Sequence, residues 1–171
     1  MHHDHVGVGD LIAPRLGGAA AVAADEFGVQ GHVRVELFGP DGALKAERDV
    51  TNLVVTAGKN HIADQLKSSP AQAAMGWMAV GTGSTAPAAG DTLLGAEIDR
   101  NALTSRTAAA NVVTYVGNWA AGDATNAAIA EAGIFNVVTA NTITMLARAT
   151  FTAINKGALD TLAITWTVTV G

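Results

Sequence analysis

Thr161-Leu-Ala-Ile-Thr-Trp-Thr-Val-Thr-Val170 alternates without a break, with Leu162, Ile164, Trp166, Val168 and Val170 on one side and Thr161, Ala163, Thr165, Thr167 and Thr169 on the other. A period of two is the pleat of a β-strand, so one face enters a core and a threonine ladder turns to solvent or to a neighbour. His32-Val-Arg-Val-Glu-Leu-Phe38 alternates in the same way. Gly39-Pro-Asp-Gly42 then marks a tight turn, because proline presets one φ and glycine accepts a positive one, and Ala43 to Asp49 returns antiparallel. Further strands are expected at Trp77 to Val80, Ala102 to Thr107, Val112 to Trp119, Glu131 to Phe135 and Thr142 to Phe151. One helix is expected over Asn52 to Lys67, with Thr56 as cap, Ile62 and Leu66 on its buried face, and Ser68-Ser69-Pro70 as stop. Short strands, Gly-rich turns and a single short helix predict a mostly β fold, an antiparallel β-sandwich or jelly roll.

The chain of 171 residues suits one domain with a real core. Residues 31–171 are expected to form the sandwich body. Residues 1–30, with a histidine-rich tip, Pro14 and a run of alanines but no sustained periodicity, read as an extended N-terminal arm that orders against a partner.

Only 15% of residues are charged, where about a quarter is usual. From Asn101 to the C-terminus the charges are just Arg106, Asp123, Glu131, Arg148, Lys156 and Asp160. Such depletion fits a surface that faces other protein, and an ordinary solvated surface rich in Ala, Thr and Gly is the competing reading. A net charge of −5 without any Lys/Arg cluster argues against nucleic acid as partner. The absence of cysteine removes disulfides, thiolate catalysis and Cys-ligated zinc. No apolar window is long enough to span a membrane, and no export signal is read at the start, so a soluble product of a cytoplasm is expected.

Each candidate for chemistry has a plainer reading beside it. Gly81-Thr-Gly83-Ser-Thr-Ala86 matches the loose dinucleotide pattern, but Pro87 and Gly90 stand where the following helix should run, so it reads as a flexible surface loop. His2, His3 and His5 with Asp4 have the ligand types for a transition metal, yet a bare terminus lacks supporting groups and reads as a solvated tip. His61 and Asp64 are spaced i, i+3 on the expected helix, with a surface or capping role as the default and no nucleophile to pair with. Asp123 and Glu131, the only acids between Asn101 and Leu159, are too few for a paired-carboxylate hydrolase without distant recruits. Trp77, Trp119 and Trp166 each lie in an apolar strand, where core packing is the reading preferred over sugar stacking. No catalytic, cofactor-binding or metal residues are therefore assigned, and no cofactor and no enzymatic activity are expected.

Asn52-Leu-Val-Val-Thr-Ala-Gly-Lys-Asn-His-Ile-Ala-Asp-Gln-Leu66, Met78-Ala-Val-Gly-Thr-Gly83, Asp91-Thr-Leu-Leu-Gly-Ala-Glu97, Glu131-Ala-Gly-Ile-Phe-Asn136, Met145-Leu-Ala-Arg-Ala-Thr-Phe151 and Asn155 to Trp166 carry a resemblance. In this order, across about Asn52 to Gly171, they resemble small virion structural proteins of tailed bacteriophages. The resemblance implies no catalytic residues. It implies a capsid decoration, or cement, protein whose partners are the phage major capsid protein and copies of itself, located in the virion. A tail, neck or fibre-attachment protein, including one that contacts a receptor, is the alternative, and a sugar-active enzyme or lectin of the virion is a third.

Overall fold

A computed structural model describes residues 28–67, 69–139 and 145–171. Among the described residues ten strands and one helix follow in the order β1 (Val29–Phe38), β2 (Leu44–Thr51), β3 (Leu53–Val54), α1 (Thr56–Gln65), β4 (Trp77–Gly81), β5 (Glu97–Ala102), β6 (Ser105–Ala109), β7 (Val112–Trp119), β8 (Asn126–Phe135), β9 (Met145–Lys156) and β10 (Thr161–Val170). They form two antiparallel sheets of five strands, β2-β1-β10-β7-β6 (sheet A) and β3-β9-β8-β4-β5 (sheet B). The two pack face to face as a β-sandwich.

The alternation of β10 decides which side of sheet A is inner. Leu162, Ile164, Trp166 and Val168 are buried, while Thr161 and Thr169 are exposed. Val170, expected on the core face, is only half-buried where the sheet ends. Across β10 lie Val33, Val35 and Leu37 of β1, paired with Trp166, Ile164 and Leu162. These side chains meet Met78, Val80, Ile129, Ile134 and Ile154 of sheet B in one core. The β1–β2 hairpin closes as expected through Gly39 and Gly42, with Gly42 at φ +78.

Four expectations are corrected. The helix starts at Thr56 rather than Asn52, because Leu53 and Val54 pair with Arg148 and Ala147 of β9 as a short edge strand. Thr56 does not cap it: the N-cap is Val55, with no side-chain bond, and the Thr56 N–H donates to the Ala89 carbonyl instead. The buried face only half matches: Ile62 packs, partly buried, against the main core, but Leu66 does not. Leu66 is 82% exposed, and the helix turns Gly58 and His61 inward, because it lies so close to β9 that a Cβ on Gly58 would stand 2.0 Å from the Leu146 carbonyl oxygen. The single strand expected over Ala102 to Thr107 is in fact a corner: β5 ends sheet B at Ala102, and after Leu103 and Thr104 the chain enters sheet A as β6.

Val29 and Gln30, which the sequence placed in the arm, pair with Val170 and Thr169 in β1. Residues 1–27, with His2, His3, Asp4 and His5, lie outside the described residues, as do 140–144, where the strand expected from Thr142 would begin.

Candidate functional site

On the outer face of sheet B a second, smaller core of Val55, Ala79, Leu94, Phe135 and Met145 is covered by helix α1 and by the long β4–β5 loop. Glu131 of β8 is fully buried there. Its Oε1 accepts the N–H groups of Gly83 (2.8 Å) and Ala96 (2.7 Å). Its Oε2 accepts the Gly95 N–H (3.0 Å) and the Arg148 Nε–H from β9 (2.9 Å), with the guanidinium Nη2 2.8 Å away as an ion pair but without hydrogen-bond geometry. Arg148 reaches on through Nη1 to Asp91 Oδ2 (2.8 Å), which also accepts the Ala88 N–H (2.9 Å). One carboxylate and one guanidinium thus tie the β4–β5 loop to the sheet at four of its residues.

This explains the glycines that imitate a dinucleotide loop. A Cβ on Gly83 would lie 2.4 Å from Glu131 Oε1, and one on Gly81 would lie 2.5 Å from the Ala96 carbonyl oxygen. Close approach is required, as in a phosphate loop, but the anion is the protein's own glutamate. The segment is anchored to the sheet at Gly81 and Gly83, while Ser84, Thr85 and Ala86 lie at the surface as expected.

Burial alone would push the Glu131 carboxyl up; the backbone N–H groups of Ala96, Gly95 and Gly83, together with Arg148, outweigh it and hold the group below its ordinary value. A carboxylate with both oxygens filled and no exposure has neither the pKa nor the access of a general acid or base. Asp123 is not brought to it. That residue lies in the β7–β8 loop, accepting the Ala120 N–H. Nearby, the fully buried Lys156 donates to the carbonyls of Ala120 (2.9 Å) and Asp160 (2.7 Å), and its ammonium is pushed down by burial. The Asp160 carboxylate in turn holds Lys45 of β2 and lies below its usual range because of that bond.

His61 is not at the surface. It is buried, with Nδ1 3.3 Å from Gln72 Oε1, and Asp64 bonds the Gln72 N–H and Lys67 rather than the histidine. A cleft of about 280 Å³ opens beside it, lined by Met75, Arg106, Val113 and Tyr115. Trp119 and Trp166 are core residues, and Trp77 is half-buried against the smaller core. Trp166 donates its indole N–H to Asn52 Oδ1 (3.0 Å), a partner the sequence did not reveal. Among the described residues no three His, Asp or Glu side chains converge as a metal site requires, and no helix is long and apolar enough to cross a membrane.

The outer face of sheet A divides in two. Opposite residues in an antiparallel pair share a face, so Thr165, Thr167 and Thr169 of β10 join Val112, Thr114 and Val116 of β7 and Ser105, Thr107 and Ala109 of β6. None of these is charged. On the β1–β2 side the same face carries His32, Arg34, Glu36, Glu47 and Asp49. Comparison of the chain with protein-family models, with curated proteins and with solved structures gives no match.

Proposed function

We propose that this chain is a non-enzymatic structural protein of a tailed-phage virion, a capsid decoration (cement) protein that binds the assembled lattice of major capsid protein. The uncharged β10-β7-β6 face carries this reading. A broad outward face without charge is compatible with a protein-facing one, since interfaces are depleted of charge at their centres. The ordered resemblance from Asn52 to Gly171 supports the same class. In this reading Glu131, Arg148 and Lys156 serve rigidity rather than chemistry. The mechanism is linkage: a protein that binds only the assembled shell stabilises that shell by mass action.

Quantitative mass spectrometry of particles of the phage that encodes the chain tests this. Copies in proportion to the capsid protein are expected; copies in the small numbers of a neck, tail or fibre component, or none, would overturn it. Thr167→Lys sharpens the test. On an exposed strand face it should change the isolated subunit by no more than about 0.5 kcal/mol. If the face packs on the shell, burying an unpaired ammonium should sharply reduce incorporation. Melting temperature and incorporation are measured together, and normal incorporation would mean that this face meets water.

A further inference from the structure

Strand edges expose unpaired N–H and C=O groups, and natural sandwiches blunt them with charge, bulges or brevity. Among the described residues three of the four sheet edges are blunted. The β2 edge carries Lys45, Glu47, Arg48 and Asp49 and a bulge at Leu37/Phe38; β3 has two residues; β5 carries Glu97, Asp99 and Arg100 and a bulge at Val80/Gly81. β6, Ser105-Arg-Thr-Ala-Ala109, has no bulge and no charge that guards its open side. All five residues are exposed, its register with β7 is unbroken, and its one charge, Arg106, is turned onto the Met75 carbonyl beneath the sheet.

The two-residue turn Ala110-Asn111 makes Ala109 and Val112 a hydrogen-bonded pair. By alternation Ser105, Thr107 and Ala109 face β7 with their backbone groups, while Arg106 and Ala108 present theirs outward.

We propose that β6 is a self-association edge, through which two copies of this chain pair antiparallel about a two-fold axis at Thr107. That register sets Arg106 opposite the partner's Ala108, so the outward groups of both strands bond reciprocally. An axis at Arg106 would set two cations directly opposite, which is unfavourable, and an axis at Ala108 would leave half of the strand unpaired. The self-complementary register favours a second copy as the occupant, and charge opposes it least here. Each chain carries −5, and the neutral face that runs up to β6 is where two copies repel least. The pairing joins two five-stranded sheets into one of ten, near the usual upper limit for open sheets. A five-residue edge buries less than the roughly 1,000 Å² of a stable complex, so the contact is weak in free solution and strengthens where copies are concentrated. It stands whether or not the partner lattice is a phage shell.

The lack of cysteine makes the test clean. About the axis, Thr107 faces its own copy as a non-hydrogen-bonded pair with Cα atoms about 4.5 Å apart, inside the range a disulfide spans. Under mild oxidation at high protein concentration, full-length Thr107→Cys should cross-link at least about tenfold faster than Asp49→Cys on the β2 edge. Adding Ala108→Pro, which removes an outward donor but no bond to β7, should bring the rate down to that of the control. Equal rates for Thr107→Cys and Asp49→Cys would overturn the proposal, and that comparison decides it even if the proline variant fails to fold.

Discussion

Glu131→Gln is expected to be among the most damaging single changes in the chain, although it alters neither size nor shape. The carboxylate receives three backbone N–H groups and the Arg148 guanidinium. An amide offers one acceptor oxygen, so its NH2 group must face donors on whichever side it takes, and Arg148 keeps only Asp91 as counter-charge. Breaking a buried pair by removing one partner costs about 3–5 kcal/mol. Against a total of roughly 5–15 kcal/mol, and at about 2–4 °C per kcal/mol for a chain of this size, the melting temperature should fall by about 10 °C. Apolar replacement of both Glu131 and Arg148 should not rescue it, because the N–H groups of Gly83, Gly95 and Ala96 would remain without acceptors.

The same site sets a pH dependence. The folded carboxyl of Glu131 lies below its unfolded value, so its stabilisation is fully present above the unfolded pKa, about 4.3, and is lost as pH falls through the folded value. Asp160 and Asp64, lowered chiefly by their lysine partners Lys45 and Lys67, act in the same direction. Thermal unfolding followed from pH 6 down to about pH 3 should show an acid-side loss that is shallower in Glu131→Gln. A melting temperature within about a degree of wild type at neutral pH would show that the cradle contributes no net stability.

The strands that pack one face inward were legible in the sequence. Val112 to Trp119 and Thr161 to Val170 have the bounds that alternation predicts, and Trp77 to Val80 falls one residue short. What escaped was whatever a period of two cannot register. β5 reads Glu-Ile-Asp-Arg-Asn-Ala because its outer side chains pair with each other and cover Phe135, with the Arg100 guanidinium 3.7 Å from the ring centre. Charge in that strand concealed burial. β8 continues toward Asn126 through irregular pairing with β9, so alternation is lost over that stretch. In the helix, Ile62 packs on the core as its spacing suggests but Leu66 does not, because the close contact is made by Gly58, which has no side chain to signal it. The Glu131 site had a faint signal in advance: a lone acid in an apolar strand together with a glycine loop lacking its helix. Pairing the two requires knowing that the loop folds back over sheet B.

Trp166→Ala tests the packing that the alternation of β10 predicts. Trp166 is fully buried between Val33 of β1 and Tyr115 of β7, in the middle strand of sheet A. Truncating a buried tryptophan leaves a cavity that neighbouring strands, fixed by their ladders, cannot close, at about 3–5 kcal/mol. A polar term adds to it. The indole N–H bonds to Asn52 Oδ1, and Asn52 is held tightly, since a Cβ on Gly31 would lie 1.7 Å from that oxygen. The two terms separate experimentally. Trp166→Phe keeps much of the volume but orphans Asn52, and should cost about 1–3 kcal/mol. Trp166→Ala should exceed it by the cavity term, whereas Thr165→Ala on the opposite face should stay within about 0.5 kcal/mol. Urea unfolding of the three variants gives the comparison through their midpoints at unchanged slope. If Trp166→Ala and Thr165→Ala unfold at the same midpoint, the core does not depend on β10. If Trp166→Phe costs nothing while Trp166→Ala costs the full amount, Asn52 is satisfied by water and the tryptophan acts through its volume alone.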